Sequence, residues 1–326
     1  MARSVAIVGA GQIGFAAAHQ FYAAGWNVTI HARSRPSWFQ FAEHWRPYDR
    51  ESSPPPSADC VIDTIAFDAA DVAAYDPGAV GRLIVVSSAS VYRDASGRTL
   101  DEGMVGGYPE FAGPVREDQP TVAPGPATYS TRKVRMEQAA RARLGSQATI
   151  LRPCAIHGPW SRHPREWWFV KRLLDGRTRI PLIHEGTSRF QPTDVEQIAA
   201  TALAAAEAEA GGIFNVADSD CPSVMEIGNA IADGLGRDVT LVPVAGAGLV
   251  GRSPWSIPGT FAVDGRKAMR LIGAGDDFAY DDHVGPAVSW LAEAPPADWR
   301  AAFPQLAAYP WDMFDYAAED RFLAAK

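Results

Sequence analysis

Tyr129 and Lys133, in the stretch ATYSTRK, stand four positions apart. On a helix that spacing puts both side chains on one face. A tyrosine is a poor base at neutral pH, but an ammonium beside it favours the phenolate, so such a pair could pass a proton to or from a substrate oxygen. Lysine is scarce in this chain, occurring only at Lys133, Lys171, Lys267 and Lys326, against 9 tyrosines in 326 residues. Chance placement gives about 0.1 pairs at this spacing. Upstream, VVSSASVY closes an apolar run with two serines, Ser87 and Ser88. In an open α/β sheet, ligand contacts gather at the carboxyl ends of the strands, where a hydroxyl could hold a substrate oxygen. The competing readings are a wet helix face for the pair and serines that merely satisfy backbone.

A second constellation lies at the N-terminus. Gly9, Gly11 and Gly14, with Gln12 and Ile13 inside the loop, form GxGxxG between an apolar run and a helical pattern. Such glycines permit a tight turn and close approach of backbone amides to a pyrophosphate at the positive end of the helix dipole. Where an NAD site usually carries a carboxylate, about twenty residues on, this chain reads HARSR. Arg33 and Arg35 offer guanidinium groups suited to a 2′-phosphate, so the spacing favours NADP, with NAD still open.

Elements must position these residues. SVAIVGAGQIGFAAAHQFYAAGWNVTIHARS reads strand, glycine turn, helix ending at Gly25, strand, the βαβ unit. Further apolar runs span Asp59 to Phe67, Gly81 to Tyr92 and Ala148 to Ile156. Near-continuous apolar strands separated by helices imply a parallel sheet covered on both faces. The aromatic, charged and then proline-rich segment from Ser34 to Cys60 shows no firm strand. Later, TDVEQIAATALAAAEAEAGG reads as a helix with Thr193 or Asp194 near its start and Gly211 past its end, and Ser223 with Glu226 forms a capping box. The aromatic tail from Trp290 is expected to wrap or lid the molecule.

Composition narrows the function classes. Hydrophobic residues make up 47% and charged residues 21%, with a net charge of −8, the profile of an ordinary globular protein. An acidic chain without a basic run disfavours nucleic acid. Cys60, Cys154 and Cys221 lie far apart, so neither a metal site nor a disulfide framework is expected. No apolar stretch suggests a signal peptide or a membrane span, and a cytoplasmic location, as monomer or homodimer, is the expectation.

The segments GAGQIG, SSASVY, YSTRK, LRPCAIHGP, QPTDVEQIA and FNVAD occur in that order. Together they resemble the short-chain dehydrogenase/reductase superfamily, in its extended and atypical NAD(P)-dependent epimerase/dehydratase branch. The resemblance implies an α/β Rossmann-type doubly wound parallel sheet over residues 1–156, to which 191–217 returns. A smaller, mainly C-terminal α/β substrate domain would occupy 157–326. It implies Ser88 as the catalytic serine with Ser87 as alternative, Tyr129 as acid/base, and Lys133 on the nicotinamide ribose. It places Pro153, Cys154 and Ala155 beside the nicotinamide. Substrate contacts would come from Tyr92, His157, Trp160 and Arg189, with Arg162 and His163 nearby, His157 being either a pocket residue or a core histidine. Three features depart from the pattern: Val8 stands where a first glycine is usual, the distance between the second and third strands is short, and His157 stands where a tyrosine is usual. The implied activity is hydride transfer between a nicotinamide and a C–OH or C=O of a small molecule, such as a nucleotide sugar or a natural-product intermediate. A non-catalytic NADP-sensing regulator or an RNA-binding relative are the alternatives.

Overall fold

The computed structural model describes residues 2–38, 44–101, 103–246, 248–273 and 277–326. The chain divides into two compact units, the first comprising Met1–Cys154, Val195–Ala217 and Val263–Gly275, the second Ala155–Asp194, Asp218–Ala262 and Asp276–Lys326.

The first unit is built on one parallel sheet. Its strands are β1 (Ser4–Val8), β2 (Asn27–Ala32), β3 (Trp45–Pro47), β4 (Ala58–Asp63), β5 (Val80–Val86), β6 (Ala148–Pro153) and β7 (Gly212–Val216). They lie in the order β7-β6-β5-β4-β1-β2-β3, every pairing parallel. The strand order reverses between β1 and β4, the switch point where doubly wound sheets open a ligand crevice. Val5, Ile7, Val8, Val61, Ile84 and Val85 are wholly buried, as expected of strands covered on both faces. The expected fold class is borne out.

Three helices cover this sheet near the motifs. α1 (Gln12–Ala23) follows the glycine loop, and α2 (Tyr129–Leu144) begins at the tyrosine itself. α3 (Val195–Glu207) packs on α1, where Gln20 donates to the Glu196 carboxylate at 2.7 Å. Thr128 caps α2 reciprocally with Thr131, and Gly145, at φ +56°, ends it.

Two details differ from the sequence reading. The segment after Ser34 does supply a strand, β3, which extends the sheet edge by three residues; it is too short and polar to show periodicity, and its neighbours at 39–43 lie outside the described residues. The run from Ala148 also breaks at Cys154: β6 stops at Pro153, and Ala155–His157 pairs instead with Pro192–Asp194.

The second unit holds three further two-stranded parallel pairings, among them Arg179–Ile183 with Thr240–Val244. Its core gathers Trp168, Phe169, Trp255 and Tyr280 with Trp299, Phe303, Leu306 and Met313 from the C-terminal tail. The tail is therefore part of that unit's core. Ser223 and Glu226 form the expected capping box at the start of helix Val224–Gly234.

Candidate active site

Because α2 starts at Tyr129, the tyrosine projects from its first turn and Lys133 follows one turn later. Lys133 is buried, and its Nζ donates to the carbonyls of Ala66 at 2.7 Å and Val86 at 2.8 Å. Val86 ends β5 and Ala66 lies three residues beyond β4, so one ammonium ties together two strand ends. Its nitrogen sits 5.6 Å from the Tyr129 ring centroid. Burial pulls the ammonium down to about 8, which leaves it charged at neutral pH.

Tyr129 is 44% exposed, and its ring leans on Phe67 at 5.5 Å. Desolvation by burial pushes the phenol up to about 12, opposed by the Ser88 hydroxyl and reinforced by the charge of Asp101. The expected depression by the neighbouring lysine does not appear. Two Lys133 protons are committed to carbonyls, and desolvation of the phenol outweighs the remaining field.

Adjacent serines part company at the end of β5. Ser88 Oγ accepts from the Ser90 amide at 3.1 Å, capping a short turn over Ala89–Val91, which leaves its own proton uncommitted by that cap. Ser87 is buried and donates to Glu137 Oε1 at 2.5 Å. Arg152 clamps the same carboxylate, through Nε at 2.9 Å and a terminal nitrogen at 2.5 Å, and also donates to the Tyr92 hydroxyl at 2.9 Å. Tyr92 in turn donates to Asn215 at 2.5 Å. Neither Ser87 nor Tyr92 reaches a surface that a ligand could touch.

The glycines have separate duties. Gly9 adopts φ +105°, and a Cβ there would lie 2.2 Å from Thr64 Oγ1; at Gly14 it would lie 2.1 Å from the carbonyl oxygen of Gly9. Turn geometry and close helix packing therefore require both. At Gly11 a Cβ would meet nothing within 4 Å, and no side chain caps the amides that open α1. That open face and those unsatisfied donors fit an incoming pyrophosphate. Gln12 and Ile13, both half-buried, form the first helical positions, while Arg33 and Arg35 follow the end of β2. Sequence reasoning missed Trp38, whose indole donates to the Ala10 carbonyl at 3.3 Å and stands edge-on to Phe15 at 5.3 Å. Its only signal was its place among several aromatics in an otherwise irregular segment.

The residues assigned to substrate in the second unit are dispersed. His157 is wholly buried, with Nε2 2.8 Å from Asp218 Oδ2. Burial alone would lower it, but Asp218 lifts it to about 9. It is thus a partnered core histidine, its ring 4.9 Å from that of Tyr280. Trp160, at φ +65°, lies 5.9 Å from Trp290. Arg162 is exposed, and His163 packs 5.6 Å from Tyr309. Arg189 pairs with Glu226 at 3.2 Å and donates to the Cys221 carbonyl. Pro153 and Ala155 are buried and Cys154 half-buried. Among the described residues no cluster of His, Cys, Asp or Glu could hold a metal, and no helix is long and apolar enough to cross a membrane.

The fold matches that of MoeE5 in complex with UDP-glucose and NAD, at TM-score 0.63 and 18% identity over 90% of this chain and 100% of that one. It also matches the Thermus thermophilus UDP-glucose 4-epimerase complex with NAD, at TM-score 0.65 and 16% identity over 89% and 99% of the two chains. The UDP-glucuronic acid 4-epimerase from Bacillus cereus in complex with NAD gives TM-score 0.66 and 16% identity over 91% and 99%. No curated protein matches the chain by sequence. Residues 64–217 match the model of the NAD dependent epimerase/dehydratase family, a family of enzymes. That span contains Ser88, Tyr129 and Lys133, and the match is to the family that the motifs resemble.

Proposed function

We propose that the chain transfers hydride between a nicotinamide cofactor and a C–OH or C=O of a nucleotide sugar, with Tyr129 as the acid/base. The observation that carries this reading is the placement of Ser88 just past the end of β5 and of Tyr129 and Lys133 one turn apart on α2, with the Lys133 ammonium on the Ala66 and Val86 carbonyls at the carboxyl ends of parallel strands. The three similar structures named above contain NAD, and two are described as UDP-sugar 4-epimerases, which supports the substrate class.

A bound nicotinamide dinucleotide would supply the hydride acceptor and donor. Gly9, Gly11, Gln12, Ile13 and Gly14 would receive its pyrophosphate, and Lys133 its ribose. Pro153, Cys154 and Ala155 would flank the nicotinamide. Arg33 and Arg35, with no carboxylate at the end of β2, favour NADP over the NAD of the similar structures.

At the substrate, Ser88 would hold the reacting oxygen. Tyr129 would take the proton from the hydroxyl as the carbon is oxidised, and return it when the transient ketone is reduced. Return of hydride to the opposite face inverts the carbon and gives an epimer.

The test has two stages. Fluorescence titration should show NADPH bound more tightly than NADH. Incubation with UDP-glucose or UDP-glucuronic acid should give the 4-epimer, separated by chromatography, and Tyr129→Phe should abolish conversion while leaving cofactor affinity nearly intact. Conversion unchanged in Tyr129→Phe removes the assignment; cofactor binding with no conversion of any nucleotide sugar makes the chain a sensor.

A further inference from the structure

The turn that carries Ser88 is fastened to the first turn of α2 by a loop carboxylate far upstream. Ser130, beside Tyr129 and wholly buried, places its Oγ 2.8 Å from Ser90 Oγ, 2.9 Å from the Ser90 carbonyl and 3.0 Å from Asp101 Oδ1. Its backbone amide donates to Asp101 Oδ2 at 2.8 Å. A serine hydroxyl has one proton and cannot serve three acceptors. Two of the three contacts become hydrogen bonds when Ser130 donates to Asp101 and the Ser90 hydroxyl donates back to Ser130, the Ser90 carbonyl then being a neighbour without a hydrogen between. Asp101 thus satisfies one of the free amides that open α2, where negative charge is also favoured by the helix dipole. Ser90, held through this bridge, donates its own amide to Ser88 Oγ at 3.1 Å.

We propose that Asp101 and Ser130 are positioning residues for Tyr129: they lock the Ser88–Ser90 turn to the start of α2 and so keep the Ser88 hydroxyl on the tyrosine. The proposal rests on Tyr129 being the proton carrier. Among the described residues, the other groups beside Tyr129 are the Phe67 ring, the Lys133 ammonium beyond the ring face, and Arg132, whose guanidinium stacks on Phe67 at 4.2 Å.

The two members of the clamp act on the phenolate with opposite sign. The Asp101 charge opposes it, and the Ser88 donation that the clamp maintains favours it. Asp101→Asn removes the charge but keeps an acceptor for Ser130; Ser130→Ala keeps the charge but cuts the bridge.

Nitration by tetranitromethane, which attacks the phenolate, reads this directly when Tyr129 is followed by peptide mass spectrometry at mildly alkaline pH. Tyr22, 55% exposed on α1, serves as internal standard. Relative to Tyr22, nitration of Tyr129 should be several-fold faster in Asp101→Asn and several-fold slower in Ser130→Ala. Equal rates in all three proteins overturn the proposal. A faster rate in both variants also overturns it, since that is what general loosening produces. Nitration needs no turnover, so a wild type that converts no nucleotide sugar would remove the proposed function and leave this comparison standing. Where conversion is observed, Ser130→Ala should lower kcat with the cofactor Kd unchanged; unchanged kcat counts against the clamp.

Discussion

Ser87 and Ser88 are neighbours in sequence and opposites in environment: Ser87 donates to the buried Glu137 at 2.5 Å, while Ser88 accepts from the Ser90 amide at 3.1 Å and acts on the Tyr129 phenol. The alternation of side chains at a strand end produces the split. Ser87→Ala should cost about 1–2 kcal/mol of stability, because Glu137 loses one buried donor and keeps Arg152. Turnover per folded molecule should barely change. Ser88→Ala should do the reverse, leaving denaturant unfolding nearly as in the wild type and lowering kcat. If Ser87→Ala were the variant that lost turnover, the roles would be exchanged.

Gly14 and Gly11 separate in the same manner. A methyl at Gly14 would press on the Gly9 carbonyl at 2.1 Å, and overpacking against backbone costs about 1–3 kcal/mol or more. Gly14→Ala should therefore lower the unfolding midpoint. Gly11→Ala faces open space and should fold normally, yet weaken cofactor binding in a fluorescence titration. Tight binding by Gly11→Ala would mean that the pyrophosphate lies elsewhere.

What the sequence disclosed was local. The glycine loop, the Tyr129 and Lys133 spacing and the Ser223 capping box are encoded within a few residues, and each occupies the element expected. The partners of those residues were not legible. Lys133 is held by Ala66 and Val86, and Ser130 by Asp101, across separations of 29 to 67 positions that no periodicity marks. His157 was ambiguous for the same reason, since its Asp218 partner lies 61 residues away. The short β3 carries too few residues for alternation to show. Trp38 sits in an aromatic stretch where nothing distinguishes the one indole that reaches the glycine loop.

In the second unit, Arg172 and Glu319 join the helices Trp167–Leu174 and Tyr316–Ala324. Both are buried, the guanidinium lying 2.5 Å from the carboxylate and 3.5 Å from the Trp168 ring centroid. Burial pushes Arg172 below its ordinary value, and Glu319 restores part of it. Removing one partner strands the other charge, which costs about 3–5 kcal/mol. Glu319→Ala should accordingly unfold at much lower denaturant than the wild type, whereas the double variant Arg172→Met with Glu319→Leu should recover most of the loss. A mild effect of Glu319→Ala would show that the aromatic contacts of the tail suffice to hold it.

Lys133 ties stability and chemistry to one titration. Burial lowers it from 10.5 to about 8. Below pH 8 it is charged in the folded and unfolded chain alike, and folding bears the full desolvation penalty. Between about 8 and 10.5 the unfolded chain holds a proton that the folded one has shed, so this group's contribution to stability rises with pH. Over that window wild type should gain stability relative to Lys133→Met, measured by urea unfolding at a series of pH values. Turnover should move the other way. Tyr129 stays protonated up to about 12, so the first loss on the alkaline side is the ammonium, and kcat should fall with a midpoint near 8. Lys133→Arg keeps its charge throughout that range; its activity, reduced because a guanidinium fits the Ala66 and Val86 carbonyls poorly, should lack this alkaline limb. An alkaline limb retained in Lys133→Arg would assign the titration to another group.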